Sequence, residues 1–433
     1  MADEQPPVTA AIYLRLVGLG ALIGIPAAFT AAVFLAFVHD LEHWLWDDLP
    51  DALGHSSPPW YLVIGLPAAG ACIVAVVRLI LPGDGGHRPL EGIAMGAVPL
   101  VNGPGIALAG IASLSFGAVL GPEGPLIALG SVIGLVVTLF VRVSQREEAV
   151  LATAGSFSAI SALFGGPLVG GMLMVEGGLG MGTALLPILL PGFVAAAVGY
   201  VIFIGLGDWG GLEAQGLVVP NLPPYEGTHV ADLLVAVAVG VLGALVVVAA
   251  RRFAGLLDAR ARRRSDLPLV LVGGGLAVGL LAQTADWLGA DSQDVLFSGQ
   301  ASVPTLVEAD STKIVLILLF AKSIAYGVSL GCGFRGGPVF PAIFLGIALA
   351  TFANLWFGVS PTLAVAVGAA AGTAAVTRLL VTSSLFATLL VGTQGVDAVP
   401  AAVLAACAAW LTIQAIDRRA ATPSPAVAAA EHQ

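Results

Sequence analysis

Charge is scarce in this 433-residue chain. Acidic and basic residues make up 10% of it and hydrophobic residues 58%, whereas soluble globular domains carry about 25% charged residues. With a mean hydropathy of +0.98, that composition excludes a soluble domain and defines a polytopic membrane protein. No basic stripe stands beside aromatic residues and the net charge is -10, which sets nucleic acid aside. Cysteine is nearly absent: Cys72, Cys332 and Cys407 stand singly in apolar runs, so neither a disulfide framework nor a zinc spacing is present, and they read as packing residues. No G-x-x-x-x-G-K-S/T occurs, so the 56 glycines read as close helix packing and not as phosphate loops. No G-x-S-x-G anchors a Ser/His/Asp triad, and no cofactor is expected. The opening MADEQPP lacks the basic region of a cleaved signal, so the first span reads as an uncleaved anchor. The Ala/Pro-rich end at 422–433 reads as disordered.

What is there is organised around Phe116 to Val132, FGAVLGPEGPLIALGSV. It holds one carboxylate, Glu123, between Gly121-Pro122 and Gly124-Pro125. An acidic residue at the centre of a membrane helix costs roughly 2.5–3.5 kcal/mol on translocon scales and marks a functional site by default. Gly-Pro pairs end one helix and start the next, because proline fits a first turn where its missing N–H costs nothing. The free amides beside Glu123 then form an anion site, and the half-helix dipole favours negative charge there by about 0.3–1 kcal/mol, up to roughly 2 when partly buried. Cost and gain nearly balance, so the carboxylate can dock when ionised and leave when protonated, with a mobile anion in its place. The bland alternative is a Gly/Pro kink with a stray Glu facing a watery cavity.

Apolar runs alternate with short polar loops along the rest of the chain, and several runs are too short to span alone. The loop from Arg251 to Arg264 holds six arginines against Asp258 and is assigned to the cytoplasm by the positive-inside rule. The acidic loops at 39–59, 207–232 and 286–310 then lie outside, the Arg78/Arg88 loop lies inside, and both termini fall in the cytoplasm. The segments expected are a cytoplasmic N-terminal piece at 1–10, a first transmembrane half at 11–206, an external linker at 207–232, a second half at 233–416 and a cytoplasmic tail at 417–433. The halves enter from opposite sides, the inverted-repeat plan of transporters. Ser329 to Pro341, SLGCGFRGGPVFP, is a second Gly/Pro break mirroring the first, and paired interruptions point to a midplane site.

GPEGP, then FGGPLVGGMLMVEG from Phe164 to Gly177, then GFRGGPVFP together resemble the CLC family of chloride channels and chloride/proton antiporters, over roughly residues 10 to 416. The resemblance implies an all-α fold of two inverted halves with many short broken helices. It also implies a homodimer in the inner (plasma) membrane, with an anion pathway in each subunit for chloride or another small anion. Glu123 becomes the gating glutamate. The anion-binding backbone falls at Gly121, Pro122 and Gly124 and at Gly336, Gly337, Val339 and Phe340. The sequence departs from the family pattern in several places. Pro122 replaces a basic residue, and Val339 stands where Phe is frequent. The family's Gly-Ser-Gly-Ile-Pro loop falls at Asp84-Gly85-Gly86-His87-Arg88, so the inner loop of Gly85, Gly86 and His87 has no anion-binding hydroxyl. The final helix with its tyrosine has no counterpart, and the internal proton-transfer glutamate aligns with Gly177, beside Glu176. The expectation is therefore a channel-like or weakly proton-coupled anion transporter that is not an enzyme, with a strict chloride/proton antiporter as the alternative.

Other features carry competing readings. His39-Asp-Leu-Glu-His43 matches the H-x-x-E-H pattern of zinc peptidases, so a membrane-embedded hydrolase using His39, Glu42 and His43 is the reading from another class. An aromatic belt of Trp44 and Trp46 at a polar helix end explains the same residues without metal. Glu176 reads as a proton relay or as a helix-end carboxylate. Lys322 and Arg378, in apolar runs, read as buried cations that pair structurally or raise the pore potential, and Arg335 as a nearer source of positive potential.

Overall fold

A computed structural model describes residues 10–93, 96–210 and 217–421; the expected N-terminal segment, most of it, and the tail from 422 lie outside them. The first half contains α1 (Ala10–His43), the one-turn α2 (Leu49–Ala52), α3 (Trp60–Ile80), α4 (Gly103–Leu114), α5 (Glu123–Thr138), α6 (Gln145–Leu163), α7 (Pro167–Gly177) and α8 (Leu186–Gly210). In the second half come α9 (Val230–Ala261), α10 (Leu267–Trp287), the short α11 (Ser292–Val295) and α12 (Val303–Val307), α13 (Thr312–Gly331), α14 (Val339–Phe357), α15 (Pro361–Thr377), α16 (Leu380–Val391) and α17 (Val399–Ala421). Among the described residues, eight stretches are long and apolar enough to cross a membrane, and the helices at 100–114, 123–138, 167–177 and 361–377 are too short. The chain is an all-helical, multi-pass membrane protein of two inverted halves.

The two breaks correspond residue by residue at a constant offset in the sequence. Val339 follows Glu123 by 216 positions, and the same offset relates Ser113 to Ser329, Gly117 to Gly333, Gly121 to Gly337, Pro122 to Pro338 and Pro125 to Pro341. Pro122 and Pro338 both cap the following helix. Gly117 and Gly333 both adopt left-handed backbone, φ +92° and +104°, a conformation that costs glycine nothing. Packing repeats too: a methyl on Gly130 of α5 would strike the Gly155 carbonyl of α6, and one on Gly346 of α14 would strike the Gly368 carbonyl of α15. Small residues thus let the paired backbones touch, which is how helices associate where lipid offers no hydrophobic drive.

Loops sort by charge onto two faces. Arg264 donates to the Leu79 carbonyl and Arg88 pairs with Asp258 at 3.1 Å, so the α3–α4 and α9–α10 connections share one arginine-rich face. At the other face α1 ends in a π-helical turn, Trp44–Asp48. Trp44 is exposed as a belt residue would be, but Trp46 is not: only 1% accessible, it donates to the Ser115 carbonyl at 3.0 Å and packs edge-on to Phe297. The π-turn rotates its indole inward, which a helical reading of the sequence could not foresee.

Candidate functional site

The two breaks meet each other. Gly121 N–H donates to the Gly337 carbonyl at 2.8 Å and Gly337 N–H donates back at 2.5 Å, the one isolated β-bridge among the described residues. Each break is also held by a serine from the opposite half: Ser113 Oγ accepts the Arg335 amide at 2.9 Å and Ser329 Oγ accepts the Val119 amide at 3.0 Å. This pairing satisfies backbone groups that the interrupted helices leave open.

Glu123, the first residue of α5, is fully buried and crosses to the other half, where its Oε1 accepts the Val339 amide, the first of α14, at 2.5 Å. Its Oε2 has no partner. Gly121 and Gly337 are required here, since a methyl on either would overlap the carboxylate. Gly124 is equally tight, with the Gly336 carbonyl 2.7 Å from a methyl placed on it. Phe340 packs against Phe164 and Phe386 at 5.8 and 5.9 Å, and Tyr326 donates to the Pro338 carbonyl at 2.8 Å. Gly121, Pro122, Gly124, Gly336, Gly337, Val339 and Phe340 are therefore neighbours around one carboxylate.

Cavities flank this point. One of about 270 Å³ includes Leu120 and Pro122 in its wall and reaches His39 and Glu42. Another of about 300 Å³ is lined by Glu123, Gly124, Gly336 and Pro338 at one end and by Gly83, Gly86 and His87 at the other.

The inner loop is built on four successive left-handed residues, Gly83, Asp84, Gly85 and Gly86. Asp84 is the strained member at φ +52°, held by a clamp of arginines. Arg78 donates to both carboxylate oxygens at 2.9 Å, Arg335 Nη2 donates to Oδ2 at 2.7 Å, and Arg88 stands 3.8 Å away. Arg335 also donates to the Asp84 carbonyl, and Arg78 to that of Gly333. Burial alone would push the Asp84 carboxyl up, but Arg78, Arg335 and Arg88 hold it below the usual carboxylate range. Gly85, with Ala109, Arg78 and Arg335 within 3.0–3.4 Å of where a Cβ would be, has no space for a hydroxymethyl group.

Glu176 lines neither cavity. Its carboxylate accepts the Leu380, Val381 and Thr382 amides and the Thr382 hydroxyl, at 2.6, 3.1, 2.8 and 2.8 Å, and so caps α16. Lys322 is buried and donates to the Asp294, Val295 and Leu296 carbonyls at 2.9, 3.2 and 2.7 Å, 4.6 Å from the Phe344 centroid. Arg378 is not buried. It is the left-handed cap of α15, its side chain is 52% accessible, and it pairs with Asp417 at 2.6 Å; the helix ends one residue earlier and turns it outward. Among the described residues no three His, Cys, Asp or Glu are grouped to hold a metal, and exposed His43 faces Asp47 and Asp48 instead. Sequence reading missed Ser113, Ser329, Tyr326 and the Asp84 clamp; the 216-residue offset was the available signal for the serines.

Inverted halves, unwound at matching points and joined there to each other, define the architecture of a membrane transporter. The sequence model described as voltage gated chloride channel matches residues 69–413, and the chain belongs to that family, whose members are transporters and not enzymes. It is 30% identical over 339 residues to the YfeO protein of Escherichia coli O139:H28 (strain E24377A / ETEC), a protein named for ion transport, with 76% of each chain covered. The Shigella boydii serotype 4 (strain Sb227) protein of the same name is 28% identical over 337 residues, again 76% of each. Among solved structures, a slow cyanobacterial Cl-/H+ antiporter superposes with TM-score 0.75 at 18% identity, covering 93% of this chain and 95% of that one. A CLC-type fluoride/proton antiporter gives 0.68 at 19% identity, covering 94% and 96%. These likenesses concern the fold.

Proposed function

We propose that the chain carries a small anion, chloride first, along the line of the two cavities, with Glu123 as the gate. One observation carries the reading: the Glu123 carboxylate occupies the amide at the start of α14, where a mobile anion would bind, with a cavity on either side. An ionised Glu123 competes with the anion for that amide, and a protonated one yields it. Amide-rich breaks with no ring of carboxylates facing them favour anions over cations. By the positive-inside rule the arginine-rich face and both termini are cytoplasmic in the plasma membrane. The protein works as a homodimer with one path per subunit.

Coupling to protons is weak in this reading. Glu176 is engaged as a helix cap by four donors, and Gly177 offers no acid in its place. Strict exchange is the second reading, favoured by the printed names of structural neighbours that exchange chloride or fluoride for protons. In liposomes under a chloride gradient, the expected result is an anion-selective reversal potential with little uphill proton movement. A potassium-selective potential overturns the anion path. Robust proton pumping that disappears in Glu176→Gln overturns weak coupling and makes Glu176 the internal proton acceptor.

A further inference from the structure

The cavity on the arginine-rich side of Glu123 contains a second titratable side chain. Among the described residues lining it, only His87, Asn102 and Glu123 have polar side chains, and only His87 can become a cation. Its Nδ1 lies 4.0 Å from Glu91 Oε2, while its Nε2 is shut off from solvent without a hydrogen-bond partner. A buried polar atom left unmatched is unfavourable, so the position calls for something in the cavity to meet it. The loop offers no substitute, because Gly85 is packed too closely to accept a hydroxyl-bearing side chain.

We propose that His87 is a proton-operated anion ligand at the arginine-rich end of the path: a proton arriving through the cavity adds to the Nε2 lone pair, and the new N–H and its charge bind the anion. The inference rests on the anion-path reading above. With the ring proton on Nδ1, on the side of Glu91 and the Gly92 backbone, the neutral ring presents a bare lone pair to the cavity and repels an anion. Protonation reverses that sign.

Charges around the ring come from every side. Glu91 stands on its own loop, and Arg335 reaches in from the second break. Arg88 is next in the chain but is drawn towards Asp84 and Asp258, and Asp84 is already clamped by Arg78 and Arg335. Glu123 closes the far end of the cavity. Burial pushes the imidazole below its ordinary range, Glu91 and a hydrogen bond to the Gly92 backbone oppose this, and Arg335 adds to it.

A proton and an anion that bind together each raise the affinity for the other by the same factor. The test uses the full-length Glu123→Gln protein, which removes the gate's own titration, and measures chloride binding by calorimetry between pH 7.5 and 5.5. Affinity should rise towards the limit of about tenfold per pH unit set by one proton per anion, and Glu123→Gln/His87→Gln should show a flat profile. A flat profile in Glu123→Gln, or a slope that survives His87→Gln, overturns the proposal and leaves the gate untouched. Absence of chloride binding at both pH values overturns the anion path itself. Histidine-selective NMR guards against a misfolded double variant: in Glu123→Gln, chloride must raise the pKa of one histidine, and if none moves the proposal is wrong.

Discussion

The two breaks are the same device used twice, and they differ in charge at two points. Gly121-Pro122 and Gly337-Pro338 occupy equivalent places, bridge each other, and are each held by an equivalent serine. Where the first break has Val119 the second has Arg335, and where the first has Glu123 the second has Val339. Each half therefore supplies one ionisable residue to a scaffold that is otherwise repeated. The acid crosses the bridge to the other half's helix end at Val339, and the base reaches back to the first half's loop at Asp84. Symmetry supplies the backbone amides, and the asymmetric pair sets a buried carboxylate on one side of the bridge and a clamped cation cluster on the other.

Arg335→Met should produce the largest effect on stability. It takes a buried donor from the loop carbonyl and from the half-exposed Asp84 carboxylate, which Arg78 still holds, and hydrogen bonds to charged groups are worth about 1.5–3 kcal/mol each. Thermal unfolding of the detergent-solubilised protein reads the loss. Val119→Met, the same side chain at the fully buried counterpart position, should cost about 1–3 kcal/mol by overpacking and leave the pH dependence of stability unchanged; the same change in pH dependence at both positions would erase the distinction. Because the arginines hold the Asp84 carboxyl below its unfolded value, its contribution is present above the ordinary carboxylate pKa and is lost as pH falls through the lowered one. Arg335→Met should therefore flatten the acid limb of the stability curve.

Ser113→Ala and Ser329→Ala should each cost about 1–3 kcal/mol, since each leaves a buried amide unmatched. The two losses should agree within about 0.5 kcal/mol, the usual scatter between equivalent independent sites. A clear inequality would mean that one break is held by something other than the bridge and the serine. Arg378→Ala should have the smallest effect, at most about 1 kcal/mol, because its pair with Asp417 is half exposed.

The fold was legible because its signals are local. Gly-Pro pairs mark where helices stop and restart, and the arginine-rich and acidic loops mark opposite faces. Glu123 stood out for a similar reason, as a lone acid between prolines in an apolar stretch. What stayed hidden depends on contacts between distant parts of the chain. Arg335 meets Asp84 across 251 positions, and no spacing rule links them. Glu176 could be seen as a helix-end acid, but the helix it caps begins 204 residues later. Trp46 and Arg378 were misjudged by single backbone turns, a π-turn in one case and a left-handed cap in the other, which changed which way a side chain faced.

The central claim is that Glu123 competes with the anion for the α14 amides. The most direct measurement is chloride flux from liposomes across a series of external pH values, in the wild type and in Glu123→Gln. Wild-type flux should rise as the external medium is acidified. The variant, with a neutral side chain unable to hold the amide against an anion, should lose that external dependence while remaining a folded, monodisperse protein. A Glu123→Gln protein that keeps the wild-type external pH profile would contradict the account.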